Sequence, residues 1–505
     1  MQLTILPNEI SVNVAAGTNL LIALQSAGCF PQTPCGGLGT CGKCMVQIET
    51  VRGSRAILAC QCSVTEDMSV TVPPSGGENR ILTSGCEMEV PLQPCASGWL
   101  LAFDIGTTTV VCYLLEPGTG REMACASMLN PQGRFGADVI TRIGYALRGK
   151  LDELSAEIRN GMEVLLREVC SKCGIEPAEI GVVSVVGNPC MQQLFLGIAP
   201  DNLAQIPFAP VLTEPEIRAA APYLPACPNA KLLIVPDISG YIGADTIGCI
   251  AATGLQDATL PKLMVDIGTN GEMVLGSRDR LIACSTAAGP ALEGARIRFG
   301  MRGAEGAIDH VWLENGKLRC SVIGNGKACG ICGSGLIDAC AVLLNAGVLN
   351  SRGRIRTAEH TPAFAELLDE QDGQRIIRLS PEVYLTQDDI REVQLAKGAI
   401  AAGIELMARQ LRMPYSQISE VLLAGAFGSY IQPESACRIG LLPRELLGRI
   451  RAVGNAAGGG AKLFARNEPL FFCTGNLRNS VQFLELASVS DFQNCFARNM
   501  RFEEA

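Results

Sequence analysis

Three thiols fall within ten residues near the start of the chain, in Cys35-Gly-Gly-Leu-Gly-Thr-Cys41-Gly-Lys-Cys44. Thiolates that converge on one small centre need a backbone that wraps closely and turns its N–H groups toward sulfur, and the interspersed glycines permit both. A fourth ligand is required, and Leu58-Ala-Cys60-Gln-Cys62 offers two, Cys60 and its near neighbour Cys62. The chemistry of such a set is one-electron transfer by an iron–sulfur cluster, or tetrahedral binding of a structural zinc. Zinc ligands usually come as two CxxC pairs, and here only Cys41 and Cys44 are so spaced. A second pattern occurs twice, as Asp104-Ile-Gly-Thr-Thr108 and Asp266-Ile-Gly-Thr-Asn270. A strand that ends in Asp and turns through Gly and Thr presents backbone N–H groups and hydroxyls to a phosphate, while the carboxylate can hold Mg²⁺ through water. One such turn reads equally well as a tight hairpin; two in equivalent places can grip a polyphosphate from both sides.

The elements that must carry these residues divide the chain. Residues 1–72 read as a compact β-rich unit: two short alternating strands around Pro7-Asn8-Glu9, a helix over Asn19–Gly28, and strands at MVQIET and SVTVP. Residues 73–98 hold four prolines and four glycines without a clean period and read as a linker. From Trp99 to the end, long apolar strands alternate with amphipathic helices, which argues for an α/β body. Helices are predicted from Leu151 and from about Gln387, the latter capped by Thr386 or a nearby Asp. Around each Asp-Ile-Gly-Thr the sequence spells strand, tight turn, strand, turn, strand. The body therefore reads as two related lobes that open at about 99 and 262 with the same β-meander.

Composition narrows the classes. At 505 residues the chain has room for two to four domains. A net charge of −9 with no run of Lys and Arg argues against a nucleic-acid partner. No apolar stretch of about 18 residues and no leader pattern is present, so neither membrane insertion nor export is expected. Twenty-three scattered cysteines, an odd number, fit a reducing cytoplasm. Two histidines, His310 and His360, are too few for a multi-histidine metal site, and both lie in polar segments as ordinary surface residues. The pairs Cys170/Cys173 and Cys329/Cys332 lack a second pair nearby and read as structural.

The C-x5-C-x2-C spacing with a distant fourth cysteine resembles the plant-type and adrenodoxin-type [2Fe–2S] ferredoxins, which have a β-grasp fold. Leu-Ala-Cys60-Gln resembles the way those domains present their last ligand, which selects Cys35, Cys41, Cys44 and Cys60. The two Asp-Gly-Thr turns, followed by Val421-Leu-Leu-Ala-Gly425-Ala-Phe-Gly428-Ser-Tyr430, resemble the phosphate-1, phosphate-2 and adenosine motifs of the actin/hexokinase/Hsp70 superfamily. That resemblance implies two ribonuclease-H-like lobes with Mg²⁺-ATP between them. It places Asp104 and Asp266 as catalytic carboxylates and Gly106, Thr107, Thr108, Gly268, Thr269 and Asn270 near the phosphates. Gly425 and Gly428 would lie near the adenosine. Two further Gly-rich turns, Thr286-Ala-Ala-Gly289-Pro-Ala-Leu-Glu293 and Gly330-Ile-Cys-Gly333-Ser334-Gly335, are added as cofactor-binding; the second opens a helix whose N-terminus could face a phosphate.

The order, ferredoxin then ATPase, resembles the reductive activators of corrinoid proteins over nearly the whole chain. Asn130-Pro-Gln, Gly136-Ala-Asp-Val-Ile140, Gly187-Asn-Pro, Gly243-Ala-Asp245, AAGPALEGA, GICGSGLID and QLAKGAI carry this resemblance with the motifs above. It implies ATP-dependent reduction of Co(II) to Co(I) on a partner corrinoid protein of a methyltransferase system, with an external electron donor and a homodimer. An ATP-driven donor to another low-potential acceptor shares the logic, and a small-molecule kinase is a more distant alternative. The chain departs from the family in two places: family members carry a longer linker and a small extra domain before the first phosphate strand, and Pro189-Cys-Met-Gln-Gln follows Asn188 where Thr and His are expected.

Overall fold

The structure is a computed structural model that describes residues 1–503 except 8–9, 30, 32, 34–36, 38, 40–42, 52, 73–80 and 290, with 426 and 427 described by backbone only. The N-terminal unit comprises β1 (Gln2–Leu6), β2 (Ile10–Asn13), α1 (Leu20–Ser26), β3 (Met45–Thr50), β4 (Gly53–Leu58) and β5 (Met68–Thr71). The strands form one sheet in the order β2-β1-β5-β3-β4, with β1 and β5 parallel and its other pairs antiparallel. Alternation decides which face is buried: Val46 and Ile48 on β3 and Leu3 and Ile5 on β1 pack against Leu20, Leu21 and Leu24 of α1. Asn19 caps α1, its side chain accepting from the N–H groups of Leu21 and Ile22. A mixed sheet grasping one helix is the β-grasp arrangement anticipated.

The first lobe contains β6 (Trp99–Ile105), β7 (Thr109–Leu115), β8 (Glu122–Leu129), α2 (Val139–Tyr145), α3 (Leu151–Cys173), β9 (Ile180–Gly187), α4 (Pro189–Leu196), β10 (Glu216–Ala219), β11 (Lys231–Ile234) and α5 (Ala244–Thr253). The second contains β12 (Lys262–Ile267), β13 (Gly271–Ser277), β14 (Arg280–Thr286), β15 (Ala307–Glu314), β16 (Lys317–Val322), β17 (Gly330–Ile331) and α6 (Gly333–Asn345). It continues with β18 (Leu368–Gln371), β19 (Gln374–Arg378), β20 (Tyr384–Thr386), α7 (Gln387–Leu411), β21 (Glu420–Ala424), α8 (Gly425–Tyr430), α9 (Pro433–Arg438) and β22 (Ile450–Gly454). The chain ends with α10 (Ala456–Arg466), α11 (Glu468–Ser480), β23 (Val481–Phe483) and α12 (Phe492–Asn499).

The two six-stranded sheets run β10-β11-β9-β6-β7-β8 and β22-β21-β12-β13-β14-β23, so each is built on one of the repeated meanders. Their inner faces share one core: Leu100, Ala102 and Val182 from the first and Met264, Leu422 and Ala424 from the second close on α5 and α10. The outer faces are covered by α3 and α4 on the first lobe and by α6 and α7 on the second. The α7 start is settled by a capping box, in which Thr386 and Asp389 exchange side-chain and backbone hydrogen bonds. Within the stretch read as a linker, residues 81–98 pack against the inner core: Ile81, Cys86, Val90 and Leu92 lie on it. The backbone of this strap bonds across to the second lobe's end, with Cys86 N donating to Val453 O and Gln93 N to Arg466 O.

Candidate functional site

Cys44 heads β3 and is buried, while Cys60 sits in the short turn after β4; their sulfurs are 3.2 Å apart. Asn19 Nδ2 donates to Cys60 O, so the cap of α1 also fixes this turn. Cys62 donates to Ser63 O, and burial raises its thiol pKa. Cys35 and Cys41 lie outside the described residues. In the loop between them Gly37 and Gly39 have φ of 86° and 78°, and a Cβ on Gly39 would stand 2.5 Å from Gln61 Nε2. Two converging thiols, with Gly37 beside Cys60 and Gly39 beside Gln61, fit the donor set of an iron–sulfur cluster.

The second site is a cavity of about 290 Å³ between the lobes. Its first wall is the turn after β6, braced from below by three side chains. Asn130 Nδ2 donates to Gly106 O at 2.8 Å, Asn188 Nδ2 to Thr107 Oγ1 at 2.9 Å, and Arg142 Nη2 to Thr107 O at 2.6 Å. Arg142 is 1% exposed, and burial pulls its pKa down to about 10. These partners explain why the Asn130-Pro, Gly136-Ala-Asp and Gly187-Asn motifs accompany the Asp-Gly-Thr turn. The facing wall is the turn after β12. The two turns approach closely, with Thr108 Oγ1 and Thr269 Oγ1 3.5 Å apart. Glu293 spans them, accepting from Thr108 at 2.9 Å and from Thr269 at 3.2 and 3.3 Å.

Besides Asp309, four more carboxylates line the cleft: Asp104, Asp245, Asp266 and Glu272. Their hydrogen-bond partners are neutral, Asn455 for Asp104, Thr246 N for Asp245, Cys249 for Asp266 and Ser285 for Glu272. Desolvation pushes Asp104 up to about 7, Asp245 up to about 7 and Asp266 up to about 6, and raises Glu272 further, with mutual repulsion adding to it for all but Asp266. Hard oxygen donors in this setting fit Mg²⁺. Among the described residues no three metal-type side chains converge on one point, so an ion here would be completed by waters and phosphate oxygens.

The anticipated residues of both turns, with Asp104, Asp266, Gly333, Ser334 and Gly425, line this one cavity; Gly289 and Gly428 are outside its wall. Gly425 does not lie in an open turn: it begins α8 at φ 82°, and a Cβ there would fall 2.5 Å from Asp266 Oδ1. His310, read as a surface residue, lines the cavity instead, with Nδ1 2.9 Å from Oδ2 of the buried Asp338. His360 is exposed, its Nδ1 2.8 Å from Thr357 Oγ1. Cys332 reaches the cavity with its sulfur 3.3 Å from Ser334 Oγ, whereas Cys329 is exposed. Asn455 and Glu272 carried no role in the sequence reading, and Glu293 appeared there only as the end of a Gly-rich turn; the available signals were the Asn that caps α10 and the start of the strand after the second Asp-Gly-Thr turn.

A β-grasp unit with converging thiols, joined to two meander-based lobes around a phosphate-ready cleft, defines an iron–sulfur, nucleotide-binding protein of the ASKHA class. Residues 3–65 match the model of the 2Fe-2S iron-sulfur cluster binding domain, 99–258 that of the RACo middle region and 261–505 that of the C-terminal domain of RACo, the ASKHA domain. The corrinoid activation enzyme RamQ of Eubacterium limosum is 31% identical, with 93% of each chain covered. The Co(II) methylated amine-specific corrinoid protein reductase of Methanosarcina barkeri is 28% identical over 68% of this chain and 65% of its own. Among solved structures, a reductive activator for corrinoid, iron-sulfur protein superposes with a TM-score of 0.72 at 27% identity, covering 99% of this chain and 98% of the other. The chain belongs to the RACo family. Among the described residues no helix is long and apolar enough to cross a membrane.

Proposed function

We propose that this protein is an ATP-dependent reductive activator of a corrinoid protein, delivering one electron to Co(II) on its partner to give Co(I). The observation that carries the reading is the union, on one chain, of a converging thiol pair in a β-grasp unit and a cleft whose two facing turns are poised for phosphate. The relatives named for corrinoid activation and reduction support it across nearly the full length. Cys35, Cys41, Cys44 and Cys60 are the ligands of a [2Fe–2S] cluster, which when bound supplies the single electron; the 3.2 Å approach of Cys44 and Cys60 favours Cys60 over Cys62.

Thr107, Thr108, Thr269 and Asn270, with the backbone of Gly106 and Gly268, would take the ATP phosphates, and Asp104 and Asp266 would hold Mg²⁺, which would neutralise phosphate charge there. Gly333 and Ser334 present the N-terminus of α6 to the nucleotide. Residues 1–72 form the ferredoxin unit, 73–98 the connection and 99–505 the ATPase. An external donor reloads the cluster, the protein works in the cytoplasm, and a homodimer is the assembly expected of the family.

The test mixes anaerobically reduced protein with a Co(II) corrinoid protein, with and without Mg-ATP, and follows the Co(I) absorption band. ATP-dependent Co(I) is expected. Its absence across several methyltransferase corrinoid subunits would sink the reading. Electron paramagnetic resonance of the reduced protein separates a [2Fe–2S] centre from a [4Fe–4S] centre or zinc.

A further inference from the structure

One continuous segment joins the cleft to the thiol loop. Its neck lies in the cavity wall, where Leu292 and Glu293 enter and Met301 and Arg302 leave. The neck is pinched shut by two glycines: a Cβ on Gly294 would fall 2.5 Å from Met301 N, and one on Gly300 would fall 2.1 Å from Gly294 O. Its tip reaches the ferredoxin unit. Lys43, between Cys41 and Cys44, donates from Nζ to Ile297 O at 2.5 Å and toward Arg298 O at 3.4 Å. The tip is held from behind by Asp389, 2% exposed, which accepts from Arg298 N at 2.7 Å and lies close enough to feel the charge of Lys43.

At the neck, Glu293 holds both threonine hydroxyls that the facing turns would offer to a phosphate. A hydroxyl has one proton to donate, so the carboxylate and a phosphate oxygen compete for the same donors. Two anions in that space also repel. A carboxylate bridging two phosphate turns is thus an anion standing in for the phosphate.

We propose that Glu293 is a positioning residue: it occupies the phosphate donors of the nucleotide-free cleft, and the terminal phosphate of a nucleoside triphosphate displaces it and moves the 294–301 loop beneath Lys43. The nucleotide thereby sets how the cluster-bearing loop is held on the ATPase. The inference rests on the reading that the cleft binds ATP and that the thiol loop carries the cluster. Because the neck is closed by backbone contacts at Gly294 and Gly300, a shift at Glu293 is transmitted to the tip rather than absorbed within the loop.

The test has two arms, both on the full-length protein. Nucleotide affinity is measured in EDTA for the wild type, Glu293→Gln and Glu293→Asp. Glu293→Gln should bind a non-hydrolysable ATP analogue on the order of tenfold more tightly, with a smaller gain for ADP. Glu293→Asp, too short to span both threonines, should fall between, and it carries the test if the Gln variant does not fold. Hydrogen exchange is then followed with and without the analogue. In the wild type the analogue should speed exchange in 294–301 and in 43–46 together; in Glu293→Gln both should already be fast and unresponsive. Lys43→Gln should lose the response at 43–46 alone, and Lys43→Arg should restore it. Equal or weaker affinity in Glu293→Gln, equal gains for ADP and the analogue, or an exchange response confined to the cleft would each overturn the proposal. A wild type that binds no nucleotide at all would instead overturn the ATP reading on which it rests.

Discussion

At the scale of single residues, Arg142 shows how a charge can be structural and still govern a site. Its guanidinium donates to Gly136 O and Thr107 O from a fully enclosed position. Arg142→Met should leave those carbonyls buried without donors, costing about 2–4 kcal/mol in urea unfolding and weakening nucleotide binding about tenfold. Unchanged affinity at lowered stability would separate bracing of the turn from simple packing. For the thiols, Cys44→Ser and Cys60→Ser should abolish the visible absorption of the reconstituted protein, while Cys62→Ser should keep it. Lys397 is 2% exposed, donates to Arg501 O at 2.6 Å, and is drawn down by burial to about 8. Below pH 8 the lysine is charged in both folded and unfolded chains, so the cost of burying the charge is fully present. Between about 8 and its ordinary value of 10.5 the unfolded chain binds more protons, and stability should rise with pH by up to about 3 kcal/mol. Denaturation at pH 7.5 and 9.5 should show this rise in the wild type and a flatter response in Lys397→Met. The Asp-Gly-Thr turns were legible because Gly and Thr sit where phosphate chemistry needs them. Lys397 was not, since a Lys on a predicted helix reads as solvent-facing until the opposing carbonyls are known, and Arg142 was not because it lies on α2, a short helix that the sequence did not announce.

At the scale of elements, the lobes meet through α5 and α10, which cross at their glycines. A Cβ on Gly460 would fall 2.2 Å from Gly248 Cα, and one on Gly248 would touch Ala457 O at 3.0 Å. Gly460→Ala should therefore force the helices apart and cost about 1–3 kcal/mol, the range of an overpacked core, read as a lower melting temperature. An unshifted melt would mean that the pair can separate without penalty. Both meanders were legible, because buried apolar runs and the repeated Asp-Ile-Gly-Thr turn reinforce each other. This crossing was hidden: Gly458-Gly459-Gly460 has no periodic side-chain signal, and its helical state is imposed by the sheets on either side. The same holds for α8, whose glycines suggest a turn but which packs Gly428 against Leu423 at the end of β21.

At the scale of the whole molecule, the cavity wall draws on both lobes and on Ile81 and Leu82 of the strap, so nucleotide should stabilise the entire ATPase as one unit. An ATP analogue at a hundredfold its Kd should add about 2.7 kcal/mol to unfolding; a melt in which only one of two transitions moves would contradict that unity. The strap also has a consequence of length. Among the described residues the last hydrogen bond of the ferredoxin unit joins Val72 N to Leu6 O, and the next anchored residue is Ile81 in the cleft wall. Eight residues lie between. Eight residues of polypeptide, whatever their conformation, span no more than about 30 Å, so a ferredoxin unit released from its dock would search only a small volume around the nucleotide cleft. Its effective concentration there would be in the millimolar range. An acceptor seated within that radius would be met almost at once by an electron carrier already attached to the motor, and one bound elsewhere on the surface would never be reached.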